Sequence, residues 1–137
     1  MGRTILAVLV GLVVAWITIT LCEFGGVMLH PPAPGTNLAD PNALAAHIAS
    51  APPAAMALVL LGWVAGAFDG ALVAALISRR HKTGAALSLG VLIVLGVIAN
   101  SVMIPHPLWM TVAGLALPIP AVWLAARLIG GRRKDAA

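Results

Sequence analysis

Four apolar stretches, each long enough to cross a lipid bilayer as one helix, take up most of the chain, at about residues 4–29, 53–78, 84–104 and 108–129. A spanning helix needs about 20 apolar residues, because each residue advances it by only about 1.5 Å. Every stretch stops on a signal that a buried helix does not pass easily: "HPPAPG", "RRHK", "PHP" and "GGRRK" in turn. Proline lacks the amide N–H and clashes with the preceding turn, while clustered cations stay at the water boundary. The connections at 79–83 and 105–107 are too short to recross a bilayer, so the helices they join run in opposite directions. The pattern predicts an all-α membrane protein, with one domain over residues 1–137 and four transmembrane helices in an up-down-up-down bundle.

Composition excludes the main alternative. Of the 137 residues 61% are hydrophobic and 9% charged, whereas a water-soluble domain carries about 25% charged residues. The first stretch, "MGRTILAVLVGLVVAWITITLC", has the basic start of a signal peptide. Its apolar run exceeds the usual signal core of about 7–15 residues, no small-residue cleavage site follows, and bulky Leu21 precedes Cys22. An uncleaved anchor is expected. Cys22 is the sole cysteine, so no intrachain disulfide, CxxC pair or cysteine zinc site is predicted.

The net charge of +4 matches nucleic-acid binding in sum but not in position. Arg3 precedes the first stretch, Arg79, Arg80 and Lys82 separate the second from the third, and Arg127, Arg132, Arg133 and Lys134 close the chain. These cations form no continuous patch; all eight fall on one side of the membrane. The positive-inside rule then puts both termini in the cytoplasm, and no nucleic-acid partner is expected.

The remaining connection, 31–52, opens with the stiff "PPAPGTNLADP". Asp40 suits an N-cap and Pro41 the first helical position of "NALAAHIAS". Leu44, Ile48 and Ala51 share one face, with His47 beside them, so a short amphipathic helix is predicted on the outer surface.

Over most of its length the chain resembles small four-helix bacterial inner-membrane proteins with no assigned activity. The resemblance lies in "PP..G....DP" of the outer loop, "G...GA" followed by "AALI" in the second span, "MIPHPLW" before the fourth and "P..WLA" near its end. It implies the four-helix topology, and it implies no activity and no functional residues.

Polar residues inside apolar spans carry the functional reading. A carboxylate near mid-bilayer costs at least about 2.5–3.5 kcal/mol, so it is expected to face protein. In "GWVAGAFDG", Gly62, Gly66 and Gly70 recur every fourth residue, and Gly62, Gly66, Asp69 and Val73 form one helical stripe. Small residues let another backbone approach closely, which makes this a candidate helix-association seam with Asp69 bonding across it, within the chain or between chains. The competing reading of Asp69 is a proton or cation site.

A second stripe runs through Trp16, Thr20, Glu23, Gly26 or Val27, and His30. At about 1.5 Å per residue, Glu23 and Asn100 share a depth about 9 Å outward of mid-membrane, and Asp69 lies about 4–5 Å inward. Gly96, one turn from Asn100, is expected to permit close helix approach. Glu23, His30, Asn100 and His106 thus form a candidate outer pocket, read as a hydrogen-bond cluster or as a ligand or ion vestibule. The spacing is not that of a metal motif, and no metal or cofactor is predicted. Trp109 suits the interfacial belt, Trp123 can stack on Arg127, and Trp16 and Trp63 are expected in bundle packing. Pro118 and Pro120 should bend the fourth span.

No nucleophile elbow, zinc-protease, P-loop or dinucleotide motif occurs, and no catalytic residue is predicted. The leading expectation is a non-enzymatic membrane protein acting through helix association, with itself or with other membrane subunits. Against it stand a proton- or cation-coupled transporter using Glu23 and Asp69, and a binding protein for a lipid, pigment or haem. Association needs the seam to face another chain. Transport needs a polar route joining the two carboxylates. Binding needs a cavity beside Trp16, Trp63 or the outer histidines.

The orientation is directly testable. In a Cys22→Ser background, Thr36→Cys should react with an impermeant thiol reagent from the outer face, and Thr83→Cys only after the membrane is opened. The reverse labelling would overturn it.

Overall fold

A computed structural model describes residues 2–131. It contains six helices: α1 (Gly2–Leu29), α2 (Pro41–Ala49), α3 (Pro53–Ile77), α4 (Lys82–Met103), α5 (Leu108–Ala116) and α6 (Pro118–Gly131). Helices α1, α3 and α4, with α5 and α6 taken together, give four helical segments long and apolar enough to cross a membrane. The chain is an all-α, multi-pass membrane protein. The expected cations Arg132, Arg133 and Lys134 lie outside the described residues.

Local chemistry sets the boundaries. Pro34 and Gly35 occupy the centre of a tight turn, closed by the Thr36 N–H donating to the Ala33 carbonyl at 3.0 Å. Gly35 has φ +82°, which side-chain-bearing residues rarely adopt. Asp40 then caps α2, its carboxylate accepting from the Asn42 N–H at 3.0 Å, with Pro41 at the first helical position. Helix α4 begins at Lys82, slightly before the apolar run itself. The fourth span breaks between α5 and α6 at Leu117, because Pro118 brings no N–H and its ring displaces the preceding turn.

The helices gather around α3. In its most apolar window 44% of residues are buried, against 17% for α1. Helix α1 lies along α3 for most of its length and touches α4 only sparsely. The start of α1 is tied to the end of α3, where the Arg3 Nε–H donates to the Ile77 carbonyl at 3.1 Å and the Thr4 and Ser78 hydroxyls lie 3.3 Å apart. At the same end by chain direction, the Arg127 guanidinium sits 4.2 Å above the Trp123 ring. The outer surface of α1 stays apolar and uncovered, with Leu6, Val13, Leu21 and Phe24 all exposed, as a lipid-facing surface requires.

Candidate functional site

The glycine seam is filled from within the chain. Gly62, Gly66 and Gly70 are buried, and α1 covers them. A Cβ on Gly66 would lie 2.8 Å from the Ala15 carbonyl oxygen, and one on Gly70 would lie 2.7 Å from that of Gly11. The approach is reciprocal, since a Cβ on Gly11 would lie 2.6 Å from the Gly70 carbonyl oxygen. The expected stripe needs correcting in its lower half. The residues against α1 continue from Gly62 and Gly66 to Gly70 and Ala74, while Asp69 and Val73 are half-buried at the flank. Both stripes fit a helical period. The deciding partner is α1, whose Ala7, Gly11 and Ala15 repeat every fourth residue and match the row with the same spacing. Asp69 reaches the same neighbour sideways, its Oδ2 accepting from the Thr18 hydroxyl at 3.3 Å. An approaching second chain would find this surface already covered.

The four residues of the expected outer pocket do converge. Glu23, His30, Asn100 and His106 all line one cavity of about 320 Å³ at the α2 end of the bundle. Helix α2 covers it with Leu44, His47 and Ile48, the face that the sequence pattern selected. The remaining walls are apolar and include Met56, Val59 and Met110.

Hydrogen bonds fix the orientation of both histidines. A carbonyl oxygen only accepts, so His30 Nε2–H donates to the His47 carbonyl at 3.2 Å, beside Ser50 Oγ at the same distance. The rings of His30 and His47 stack with centroids 4.4 Å apart, a pairing that fastens α2 to the end of α1. By the same logic His106 Nδ1–H donates to the Ile104 carbonyl at 2.8 Å, which leaves Nε2 as an acceptor in the neutral ring. His106 also meets the Trp63 indole edge-on at 5.5 Å. That indole is seated by Gly114, where a Cβ would lie 2.5 Å from two ring carbons. Asn100 Oδ1 and Ser101 Oγ are buried with no hydrogen-bond partner.

A second cavity, of about 410 Å³, lies beside the first. It is a groove between α1 and α4, lined by Trp16, Ile19 and Thr20 on one side and Leu92, Ile93 and Gly96 on the other, with Trp63 between them. Glu23 and Asn100 border both cavities. The stripe Trp16, Thr20, Glu23, Val27 and His30 therefore lines the two in sequence along α1.

Two expectations change here. Gly96 permits no close approach, because a Cβ built on it meets nothing within 4 Å. Trp16 is 68% exposed at the groove rim and takes no part in bundle packing, unlike Trp63 at 3%. Both changes follow from the sparse α1–α4 contact, since α1 is drawn onto α3 instead. A third cavity, wholly apolar in its lining, lies between α4 and the Pro118 break.

Asp69 borders neither the vestibule nor the groove. Among the described residues no three His, Cys, Asp or Glu side chains group closely enough to hold a metal. Sequence reasoning missed His47 as the partner of His30, Gly114 as the seat of Trp63, and the small-residue row of α1. The last was visible as the spacing of Ala7, Gly11 and Ala15.

Burial pushes the His106 pKa below the ordinary histidine value, and the bond to Ile104 opposes this only in part. The neutral ring is thus favoured in the folded protein. Between the lowered value and about 6.5 the unfolded chain holds a proton that the folded one does not. Stability from this group is complete above that window and is lost as the pH falls through it. Thermal unfolding in mild detergent should show a midpoint that drops between about pH 7 and pH 5, and His106→Gln should flatten the drop. An equal drop in the variant would assign it to other groups. The chain matches no protein-family model, no curated protein and no solved structure.

Proposed function

We propose that this chain is a non-enzymatic protein of a bacterial inner membrane, with both termini in the cytoplasm, that binds a lipid-like amphipathic molecule. One observation carries the reading: Glu23 and Asn100 border both a vestibule beneath α2, where a few polar side chains converge among mainly apolar walls, and a groove between α1 and α4 along the side of the bundle. A site of that shape accommodates a polar head under α2 and a tail at the lipid boundary. Apolar walls with a few convergent polar groups are the usual make-up of small-molecule sites.

The other two readings find less support. For association, the seam that suggested a partner chain is engaged with α1. For proton or cation transport, Asp69 is bonded to Thr18 and borders neither cavity. The partners implied are the surrounding bilayer and one bound amphiphile; the placement of the cations gives no support to a nucleic-acid partner.

Asn100 provides the test. A buried acceptor without a partner costs about 1–3 kcal/mol, so replacing it by an apolar side chain of similar size relieves that cost. Asn100→Leu should leave the delipidated protein at least as stable as the parent. Yet the variant should lose an amphiphile that the parent retains, near one per chain, through exhaustive detergent exchange, as read by mass spectrometry of extracts. Equal retention by both proteins, or none by either, would contradict the reading.

A further inference from the structure

We infer that the amphiphile carries a head that donates hydrogen bonds and lacks phosphate, a long-chain amine or alcohol, with its chain in the α1–α4 groove. This rests on the binding reading above and adds what the site selects. A tail in the groove, whose walls include Thr20, Glu23 and Asn100 beside the apolar residues, gains little over one in lipid. The head must therefore decide which molecule is held.

The groups around the head position are mostly acceptors. His106 offers Nε2, since its Nδ1–H is engaged by the Ile104 carbonyl. Glu23 offers carboxyl oxygens at the junction of the two cavities. Asn100, at the same junction, has its Oδ1 buried without a partner, and its amide nitrogen adds a donor. The two imidazole donors fixed by geometry, His30 Nε2–H and His106 Nδ1–H, are already taken by the His47 and Ile104 carbonyls.

Among the described residues no lysine or arginine lines either cavity to meet a phosphate. Arg3, Arg79, Arg80, Lys82 and Arg127 belong to the opposite end of the bundle. The N-terminus of α2, which would otherwise favour an anion, is occupied by the carboxylate of Asp40. A phosphate set against the oxygens of Glu23 and against His106 Nε2 would face acceptor with acceptor. A hydroxyl or ammonium head instead brings these acceptors a donor.

Gly96 allows the tail placement to be tested without disturbing the fold. It lines the groove, and a Cβ there meets nothing within 4 Å. A leucine at this position fills space that no protein atom uses.

The full chain in phosphatidylcholine nanodiscs would be offered dodecylamine, dodecanol and dodecyl phosphate at equal mole fraction, with bound copies counted by native mass spectrometry. The amine or the alcohol should saturate at one per chain and exceed the phosphate by about tenfold or more. Gly96→Leu should remove that binding while leaving the unfolding midpoint of the ligand-free protein unchanged. Glu23→Gln separates the two heads: selective loss of the amine assigns an ammonium ligand, and equal retention of both assigns a hydroxyl. Dodecyl phosphate binding as well as the others, and lost in Gly96→Leu, would overturn the head-group inference and leave the binding reading standing. Binding that survives Gly96→Leu would overturn the tail placement. Saturable binding by none of the three would overturn the binding reading itself.

Discussion

The backbone-to-backbone approach of α1 to α3 governs the rest of this structure. Gly11 and Gly70 each face the other's carbonyl oxygen, so that a methyl group on either would overlap it. Inside a bilayer, helices gain little from hiding apolar side chains from lipid, and close packing with a few hydrogen bonds must hold them together. Glycine rows supply that closeness. The Thr18–Asp69 bond and the Arg3 and Thr4 contacts at the end of α3 then fix the register of the pair. An interhelical hydrogen bond in a membrane is typically worth about 0.6 kcal/mol. The packed surface is thus the larger contribution, and Asp69 adjusts it.

A helix held this tightly on one side is held loosely on the other. Because α1 follows α3, it leaves α4 along the stretch from Trp16 to Glu23, and the groove opens there. Beyond Glu23 the two helices diverge around the vestibule, which α2 covers. The stacked rings of His30 and His47 hold that cover against the end of α1. Trp63, seated on Gly114, lines the groove and meets His106 edge-on. Seam, groove and vestibule are consequences of one packing choice.

Much of this was legible in the residues taken alone. Prolines and cations marked the ends of the spans, Asp40 and Pro41 announced α2, and Pro118 announced the break in the fourth span. Shared depth brought Glu23 and Asn100 together, and proximity to the outer boundary added His30 and His106. What a single helix cannot reveal is which of two adjacent faces a neighbour takes. The rows Gly62-Gly66-Asp69-Val73 and Gly62-Gly66-Gly70-Ala74 differ by less than one residue's rotation about the axis, and only the surface of α1 chooses between them. The same limit hid the open space at Gly96, because a glycine reads alike whether another helix lies on it or nothing does. The His30–His47 pair depends on how the 31–40 segment folds back, which no helical period encodes.

The central claim is that α1 is bound to the glycine row of α3 in its own chain, and the sole cysteine permits a direct measurement. A Cβ at position 62 would lie 2.8 Å from the Cβ of Cys22, close enough that a small outward shift reaches disulfide geometry. Oxidation of Gly62→Cys should give a single-chain species in which both thiols resist alkylation. A disulfide-linked dimer, or two thiols that remain free, would contradict the account.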